Sequence, residues 1–223
     1  MADFEHAAPD GAESGIVDCL GAEAASVAVR RSPLSRFDIA PLASQASKGG
    51  LQVAELPGRT HINIRLPADN RGAANALKRA TGMSMPKAGT YSELEEAYIA
   101  WLSPDELLLV SEETDSVGVM TELGKKFAKI HHALNDMSSG QTIVRLTGDN
   151  AAHVLAKGCT LDLHASVFAA PMCAQTRIAK TQIFLRSIEG RAFDVIVRRS
   201  FADYFWTWLT NAAADSKPGI GRL

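Results

Sequence analysis

Apolar and polar residues follow a regular pattern from residue 51 onward. Over residues 60–66 they alternate strictly, which predicts a strand with one buried face. The opposite face would carry His61, Asn63 and Arg65. These three side chains form either a polar recognition surface or an ordinary surface that faces solvent or a partner. The ordinary surface is favoured, because a half-buried sheet generally has one polar, exposed face.

A first α/β unit follows from this strand. Asp69 or Asn70 can cap a helix that Gly82 ends. A second helix is predicted from the spacing of apolar residues between Val119 and Ile130. Three further strands complete the order β-α-β-β-α-β, which is that of a ferredoxin-like half; they are predicted at 98–102, 106–110 and about 133–135.

A second, similar unit follows the first. Asp149 or Asn150 opens a helix that ends at Gly158, and the last helix begins with a capping-box-like pair, Ser200 and Asp203. Strands are predicted at 142–147, 174–180, 182–187 and 192–198, with a loop at 159–172. The last helix carries an apolar stripe of Phe201, Tyr204, Phe205, Trp208, Leu209 and Ala212. We therefore predict an α+β body at 51–215, made of two packed halves at about 51–138 and 139–215, and a tail at 216–223.

Residues 1–50 differ from this body because they show no clear period. Residues 1–29 hold six of the 25 acidic residues and none of the 23 basic ones, so this head is acidic. An isolated head of this composition is either disordered or ordered by a partner. Residues 30–42 combine Arg30, Arg31 and Phe37 with two prolines, which suits an extended arm that lies on a partner.

Composition excludes several classes of protein. The 223 residues carry a net charge of −2, which provides no general attraction to nucleic acid or to an anionic membrane. No apolar run approaches the roughly 18 residues of a membrane span, and the N-terminus lacks the pattern of a secretory signal. Three widely spaced cysteines provide no disulfide framework. We expect a cytoplasmic protein without nucleic-acid or membrane partners.

Motifs of nucleotide binding, zinc proteases and esterases are absent from the sequence. Cys159, Asp162 and His164 are close in sequence, but a metal site usually needs a further ligand with firm spacing. The alternative is a loop held by hydrogen bonds from side chains to the backbone. The pair His131–His132 follows a helix end, where interaction with the helix dipole is favoured over catalysis.

Two arginines, Arg198 and Arg199, stand at a strand end directly before a helix. Such a position suits a carboxylate, a phosphate or an acidic segment of a partner. The alternative is a salt bridge or cap contact with Asp194 or Asp203. Trp206 lies off the predicted apolar stripe of its helix, so it fills a second contact or meets a partner.

Three runs together resemble the gamma subunit of heterotetrameric sarcosine oxidase. They are GCTLDLH at 158–164, CAQTRIAK at 173–180 and RRSFADY at 198–204. Supporting runs are LQVAELPG at 51–58, WLSPDELLLV at 101–110, DMSSG at 136–140 and VRLTG at 144–148. These gamma subunits are in turn similar to the folate-binding domain of the glycine-cleavage aminomethyltransferases, which implies an α+β fold of two such halves.

The resemblance implies a non-catalytic, structural subunit of an enzyme that oxidatively demethylates sarcosine to glycine. That enzyme releases hydrogen peroxide and forms 5,10-methylenetetrahydrofolate. The partners would be alpha, beta and delta subunits, which are expected to hold FAD, FMN, NAD, zinc and tetrahydrofolate. No catalytic, cofactor-binding or metal-binding residue is assigned to this chain. The predicted partner contacts are Arg30, Arg31, Phe37, Arg198, Arg199 and Trp206.

Two other functions remain open at this point. The first is a stand-alone folate-binding transferase of the aminomethyltransferase type, for which Asp162 and Asp136 are the candidate acidic residues. The second is a metal-dependent enzyme at Cys159 and His164. Titration with tetrahydrofolate and metal analysis of the pure chain would distinguish these functions from that of a structural subunit.

Overall fold

Eleven strands and four α-helices make up the part of the chain that the structure describes. In this computed structural model that part comprises residues 31–37, 39, 50–67, 70–216 and 218–222. The strands are β1 (Gln52–Leu56), β2 (Thr60–Arg65), β3 (Tyr91–Leu94), β4 (Ala97–Ser103), β5 (Glu106–Ser111), β6 (Ala133–Asp136), β7 (Gln141–Thr147), β8 (Cys173–Ile178), β9 (Thr181–Ile188), β10 (Ala192–Arg198) and β11 (Gly219–Arg222). The helices are α1 (Arg71–Thr81), α2 (Ser116–Phe127), α3 (Ala151–Ala156) and α4 (Arg199–Ala213).

The first half forms a five-stranded antiparallel sheet with the order β3-β4-β5-β2-β6. The sequence pattern predicts its β2, β4, β5, β6, α1 and α2. Strand β3 extends this unit at the edge beside β4 and was not predicted. Of its four residues only Tyr91 is buried, so no alternation of apolar and polar residues marks this strand in the sequence.

The second half forms a six-stranded sheet with the order β11-β1-β7-β10-β9-β8. Strand β1 belongs to this sheet, where it pairs antiparallel with β7 and parallel with β11. The structure therefore differs from the predicted division at residue 138, since residues 52–56 lie with the second half. It also differs from the predicted tail, since residues 219–222 form a strand. Both pairings join distant parts of the chain, so no local pattern reveals them.

The two sheets face each other, and each has its helices on the outer side. One core lies between α1, α2 and the five-stranded sheet, and another lies between α3, α4 and the six-stranded sheet. A third apolar cluster joins the two sheets and includes Leu56, Tyr98, Leu108, Phe184 and Ile196. Alternation along each strand produces this order, because successive side chains point to opposite faces. The predicted α+β fold of two packed halves is confirmed.

Local prediction succeeds at the ends of α1 and fails at the start of α4. Asn70 caps α1 by accepting hydrogen bonds from the backbone N–H groups of Gly72 and Ala73, at 2.7 and 3.3 Å. Gly82 ends α1 with a φ of 75°, a conformation that favours glycine. The capping box predicted at Ser200 and Asp203 does not form, because α4 begins at Arg199 and has no side-chain cap.

The buried face of α4 is rotated from the predicted stripe. Phe201 and Tyr204 are 44% and 37% exposed, whereas Trp206 is buried. The remaining buried residues of this face are Ala202, Phe205, Leu209 and Ala213. Aromatic residues occur on both sides of α4, so hydrophobicity alone did not show which side faces the sheet.

Candidate functional site: the arginine corner and the inter-sheet cleft

Residues 31–37 and 39 lie on the outer side of the six-stranded sheet, beside α4. Leu34 is fully buried and Ile39 is 8% exposed, and both belong to the core beneath α3 and α4. The ring centroids of Phe37 and Trp206 are 6.2 Å apart. Of the two roles predicted for Trp206, the structure shows the second contact, and this contact comes from the arm of the same chain.

A buried carboxylate fastens this arm. Glu55 is fully buried and accepts hydrogen bonds from Ser32 Oγ, from Thr142 Oγ1 at 3.1 Å and from Arg222 Nε at 2.9 Å. Arg36 adds an ion pair with Asp203 at 2.8 Å. One carboxylate thus joins the arm, β7 and β11.

Arg199 and Arg198 have different surroundings although they are adjacent. Arg199 donates to two backbone carbonyls, from Nε to Ser139 at 2.7 Å and from Nη2 to Arg31 at 2.8 Å. The Arg198 side chain is exposed and makes no hydrogen bond or ion pair with the described residues. The predicted alternative of a contact with Asp194 or Asp203 is not what the structure shows, because those carboxylates bind other arginines.

Predicted contact residues therefore divide into two groups. Phe37, Arg199 and Trp206 are engaged within the chain, whereas Arg198 and the side chain of Arg31 are exposed. Arg30 lies outside the described residues. Arg199 is exposed as well, so contacts within the chain do not hide its side chain.

A polar cleft of about 360 Å³ opens between the two sheets next to Arg198. Amide side chains line it, and the structure holds several of them in place. Asn63 donates to Glu106 at 2.8 Å, and Gln175 donates to the carbonyl of Leu102 at 2.9 Å. Gln141 contacts the buried His61 at 3.1 Å.

His61 differs from the prediction of a solvated or partner-facing side chain, since it is 1% exposed. The facing sheet covers this part of β2. Burial lowers the pKa of His61 to about 4, so the ring is neutral at pH 7. Asn63 is half-buried and Arg65 is exposed, so the polar face of β2 becomes more solvated along the strand.

A buried group of charges lies at the other end of the space between the sheets. Asp194 is 1% exposed and accepts from Arg145 Nε at 2.7 Å and Nη2 at 2.9 Å. Arg186 Nε donates to the same carboxylate at 3.1 Å, and its Nη1 reaches Glu93 at 3.2 Å. The hydrogen bond with Asp194 raises the pKa of Arg145.

Two tyrosines surround Arg186. Its guanidinium carbon lies 3.7 Å from the ring centroid of Tyr98 and 4.9 Å from that of Tyr91. The Tyr91 hydroxyl donates to the carbonyl of Ser187 at 2.8 Å, and burial raises the pKa of Tyr91 to about 12. Because these tyrosines belong to one sheet and Arg186 to the other, the group ties the sheets together.

Sequence reasoning missed this buried group, although a signal was present. Arg145, Arg186 and Asp194 each follow directly on apolar residues within a strand. Isolated charges in such strands must find partners, because burying an unpaired charge is costly.

The candidate metal residues do not come together as a ligand set. Asp162 accepts a hydrogen bond from the backbone N–H of His164 at 2.9 Å, and the His164 ring contacts Ser166 at 2.7 Å. Cys159 is buried in the core beneath α3 and α4. The part of the chain that the structure describes contains no group of three or more side chains arranged to hold a metal.

Other candidate residues have local contacts. Asp136 accepts from Ser116 Oγ at 2.6 Å and from the backbone N–H of Ser138 at 2.8 Å. His132 contacts the carbonyl of Ile130 at 2.8 Å. Helix α2 ends at Phe127, earlier than predicted, so this contact lies beyond the helix and is not the predicted interaction with its end. Across the described ranges, no helix is both long and apolar enough to cross a membrane.

Comparison with known proteins identifies the family. The model of the sarcosine oxidase, gamma subunit family matches residues 65–215. The chain belongs to this family. It is 28% identical over 192 residues to sarcosine oxidase subunit gamma of Corynebacterium sp. (strain P-1), covering 85% of this chain and 93% of the relative. It is 26% identical over 191 residues to the Arthrobacter sp. subunit gamma, with the same coverage of both chains.

Solved structures show the same relationship. A chain of heterotetrameric sarcosine oxidase from Corynebacterium sp. U-96, in complex with pyrrole 2-carboxylate, is similar with a TM-score of 0.73 and 26% identity. The similarity covers 84% of this chain and 96% of that one. Aminomethyltransferase T from Bartonella henselae is similar in fold, with a TM-score of 0.58 and 16% identity over 77% of this chain and 48% of the other.

Proposed function

We propose that this chain is a non-catalytic, structural gamma subunit of a heterotetrameric sarcosine oxidase. The complex would oxidatively demethylate sarcosine to glycine, release hydrogen peroxide and form 5,10-methylenetetrahydrofolate. The observation that carries the proposal is the similarity to gamma subunits over 85% of the chain.

The proposal assigns the chemistry to other chains. Alpha, beta and delta subunits are the proposed partners, and they would hold FAD, FMN, NAD, zinc and tetrahydrofolate. For this chain we propose the role of a rigid body against which they assemble. The two sheets support such a role, because an apolar cluster and the buried group around Asp194 join them.

Copurification from the native host tests the proposal. An affinity tag on this chain is expected to recover three further subunits and sarcosine-dependent production of hydrogen peroxide. The chain produced alone is expected to bind neither flavin nor tetrahydrofolate, measured by absorbance and by calorimetric titration. Recovery of the tagged chain without partners would contradict the assembly role, and saturable tetrahydrofolate binding by the isolated chain would contradict the non-catalytic role.

A further inference from the structure

Four polar side chains form a row across one end of the six-stranded sheet. Arg177 on β8 pairs with Gln182 on β9, and Arg198 on β10 pairs with Gln141 on β7. The ladder between β9 and β10 ends one residue earlier, at Ile183 and Val197, so Gln182 and Arg198 are next to each other. Neighbouring strands are about 4.8 Å apart, which places the backbones of Arg177 and Arg198 about 10 Å apart.

Both arginines of this row lack a hydrogen-bond or ion-pair partner among the described residues. Neither guanidinium makes a hydrogen bond or an ion pair with any residue that the structure describes, and both side chains are exposed. The arginines at the other end of the same space, Arg145 and Arg186, are instead bound to Asp194. Arg177 and Arg198 are thus solvated, and their guanidinium groups can hydrogen-bond to another molecule.

The cleft beside this row has a positive balance of charge. Among the described residues its lining includes one carboxylate, that of Glu106, which already accepts from Asn63 at 2.8 Å and pairs with Arg65 at 3.2 Å. Arg177 and Arg198 thus supply positive charge that no described lining carboxylate neutralises. The adjoining Met137 is 37% exposed and adds an apolar part to the rim.

We propose that this cleft binds an acidic segment of a partner subunit, an inference that rests on the proposed function. Guanidinium groups bind carboxylates through paired hydrogen bonds. The side-chain amide of Gln182, which lies between Arg177 and Arg198, can hydrogen-bond to a peptide group of the segment. In an extended segment, acidic residues two positions apart lie about 7 Å apart on one face. The two flexible arginine side chains can reach both carboxylates, and Met137 fits the enrichment of methionine and arginine at interfaces.

Assembly tests the proposal with matched variants of the tagged full chain. The double variant Arg177→Gln/Arg198→Gln is expected to recover roughly tenfold less of the partner subunits than wild type, with the greatest difference at low salt. The control Arg71→Gln/Arg79→Gln removes the same charge from two exposed arginines of α1, which make no hydrogen bond or ion pair with the described residues. The control is expected to assemble as wild type does, and circular dichroism verifies the folding of both variants.

A cross-linking experiment identifies the contact directly. The variants Arg177→Lys and Arg198→Lys retain the charge and present an amine that a zero-length carbodiimide joins to a carboxylate in direct contact. Mass spectrometry of the assembled complex is expected to find positions 177 and 198 joined to aspartate or glutamate of another subunit. Arg79→Lys serves as the control at which no such joining is expected.

The outcomes separate this inference from the proposed function. Recovery of no partner with wild type would overturn both. Normal recovery with the double glutamine variant, or an assembled complex without cross-links at positions 177 and 198, would overturn the inference about the cleft alone. Saturable binding of glutarate by the isolated chain, without cross-links in the complex, would assign the cleft to a free acid and also overturn it.

Discussion

Replacing Asp194 with asparagine removes a negative charge that Arg145 and Arg186 share between the sheets. Both oxygens of Asp194 accept from guanidinium groups, one from Arg145 Nε and the other from Arg145 Nη2 and Arg186 Nε. In Asp194→Asn one oxygen becomes an NH₂ group. In either orientation of the amide, this NH₂ donor faces a guanidinium N–H donor. Arg145 also loses its counter-charge, and among the described residues Arg186 keeps only the half-exposed carboxylate of Glu93.

The cost of this change follows from burial. Breaking a buried ion pair by removing one partner costs about 3–5 kcal/mol. The side chain of Arg186 is 7% exposed and cannot turn into water, whereas that of Arg145 is 31% exposed and can. We therefore expect Asp194→Asn to lower the free energy of unfolding by about 3 kcal/mol. This loss corresponds to a decrease in Tm of about 6–12 °C for a chain of this size.

Urea unfolding and calorimetry of the full chain measure this loss. Asp149→Asn is the control, because Asp149 and its partner Arg191 are 75% and 70% exposed, and we expect a change of at most about 0.5 kcal/mol. Replacing Asp194, Arg145 and Arg186 together by apolar residues is expected to cost less than Asp194→Asn alone, since no unpaired charge remains. A loss below about 1 kcal/mol for Asp194→Asn would refute the reasoning.

Two further predictions concern His61 and the arm. The pKa of His61 is lowered to about 4 from an unfolded value of 6.5, so the unfolded chain binds more protons between these values. Stability is therefore expected to fall as pH falls from 6.5 towards 4, by up to about 3 kcal/mol, and urea unfolding of His61→Gln should lack this part of the pH dependence. Phe37→Ala removes the contact with Trp206 and is expected to cost about 2 kcal/mol and to shift tryptophan emission to longer wavelength. The exposed Phe201→Ala is its control, and an equal loss in both variants would contradict the docking of the arm.

Local patterns were sufficient to predict most elements of the fold. The alternation in β2 and the caps at Asn70 and Gly82 depend on neighbouring residues, so the sequence shows them directly. The pairing of β1 with β7 and β11 depends on residues far apart in the chain, and no local rule specifies it.

The candidate site was predictable only in part. The exposure of Arg198 is consistent with its place at the end of β10, although the sequence also allowed a contact with Asp194 or Asp203. The inward position of Trp206 did not follow, because the partner that covers it, Phe37, lies in a segment without a regular pattern. The burial of His61 depends on the facing sheet, which the sequence pattern does not reveal. The alternation of His61 and Ile62 shows only that their side chains point in opposite directions.

The pairing of β1 with β11 has a consequence for the order in which the halves fold during synthesis. The five-stranded sheet uses only residues 60–136, so all of its strands are available before β7 is made. The six-stranded sheet needs β1 from before this segment and β11 from residues 219–222, and Gln52 pairs with Gly219. Because domains generally fold as they emerge, from the N-terminal side first, the five-stranded half can fold while β1 still waits for its neighbours. The arm held by Glu55, which also binds Arg222, therefore reaches its final place only after residues 219–222 have been made.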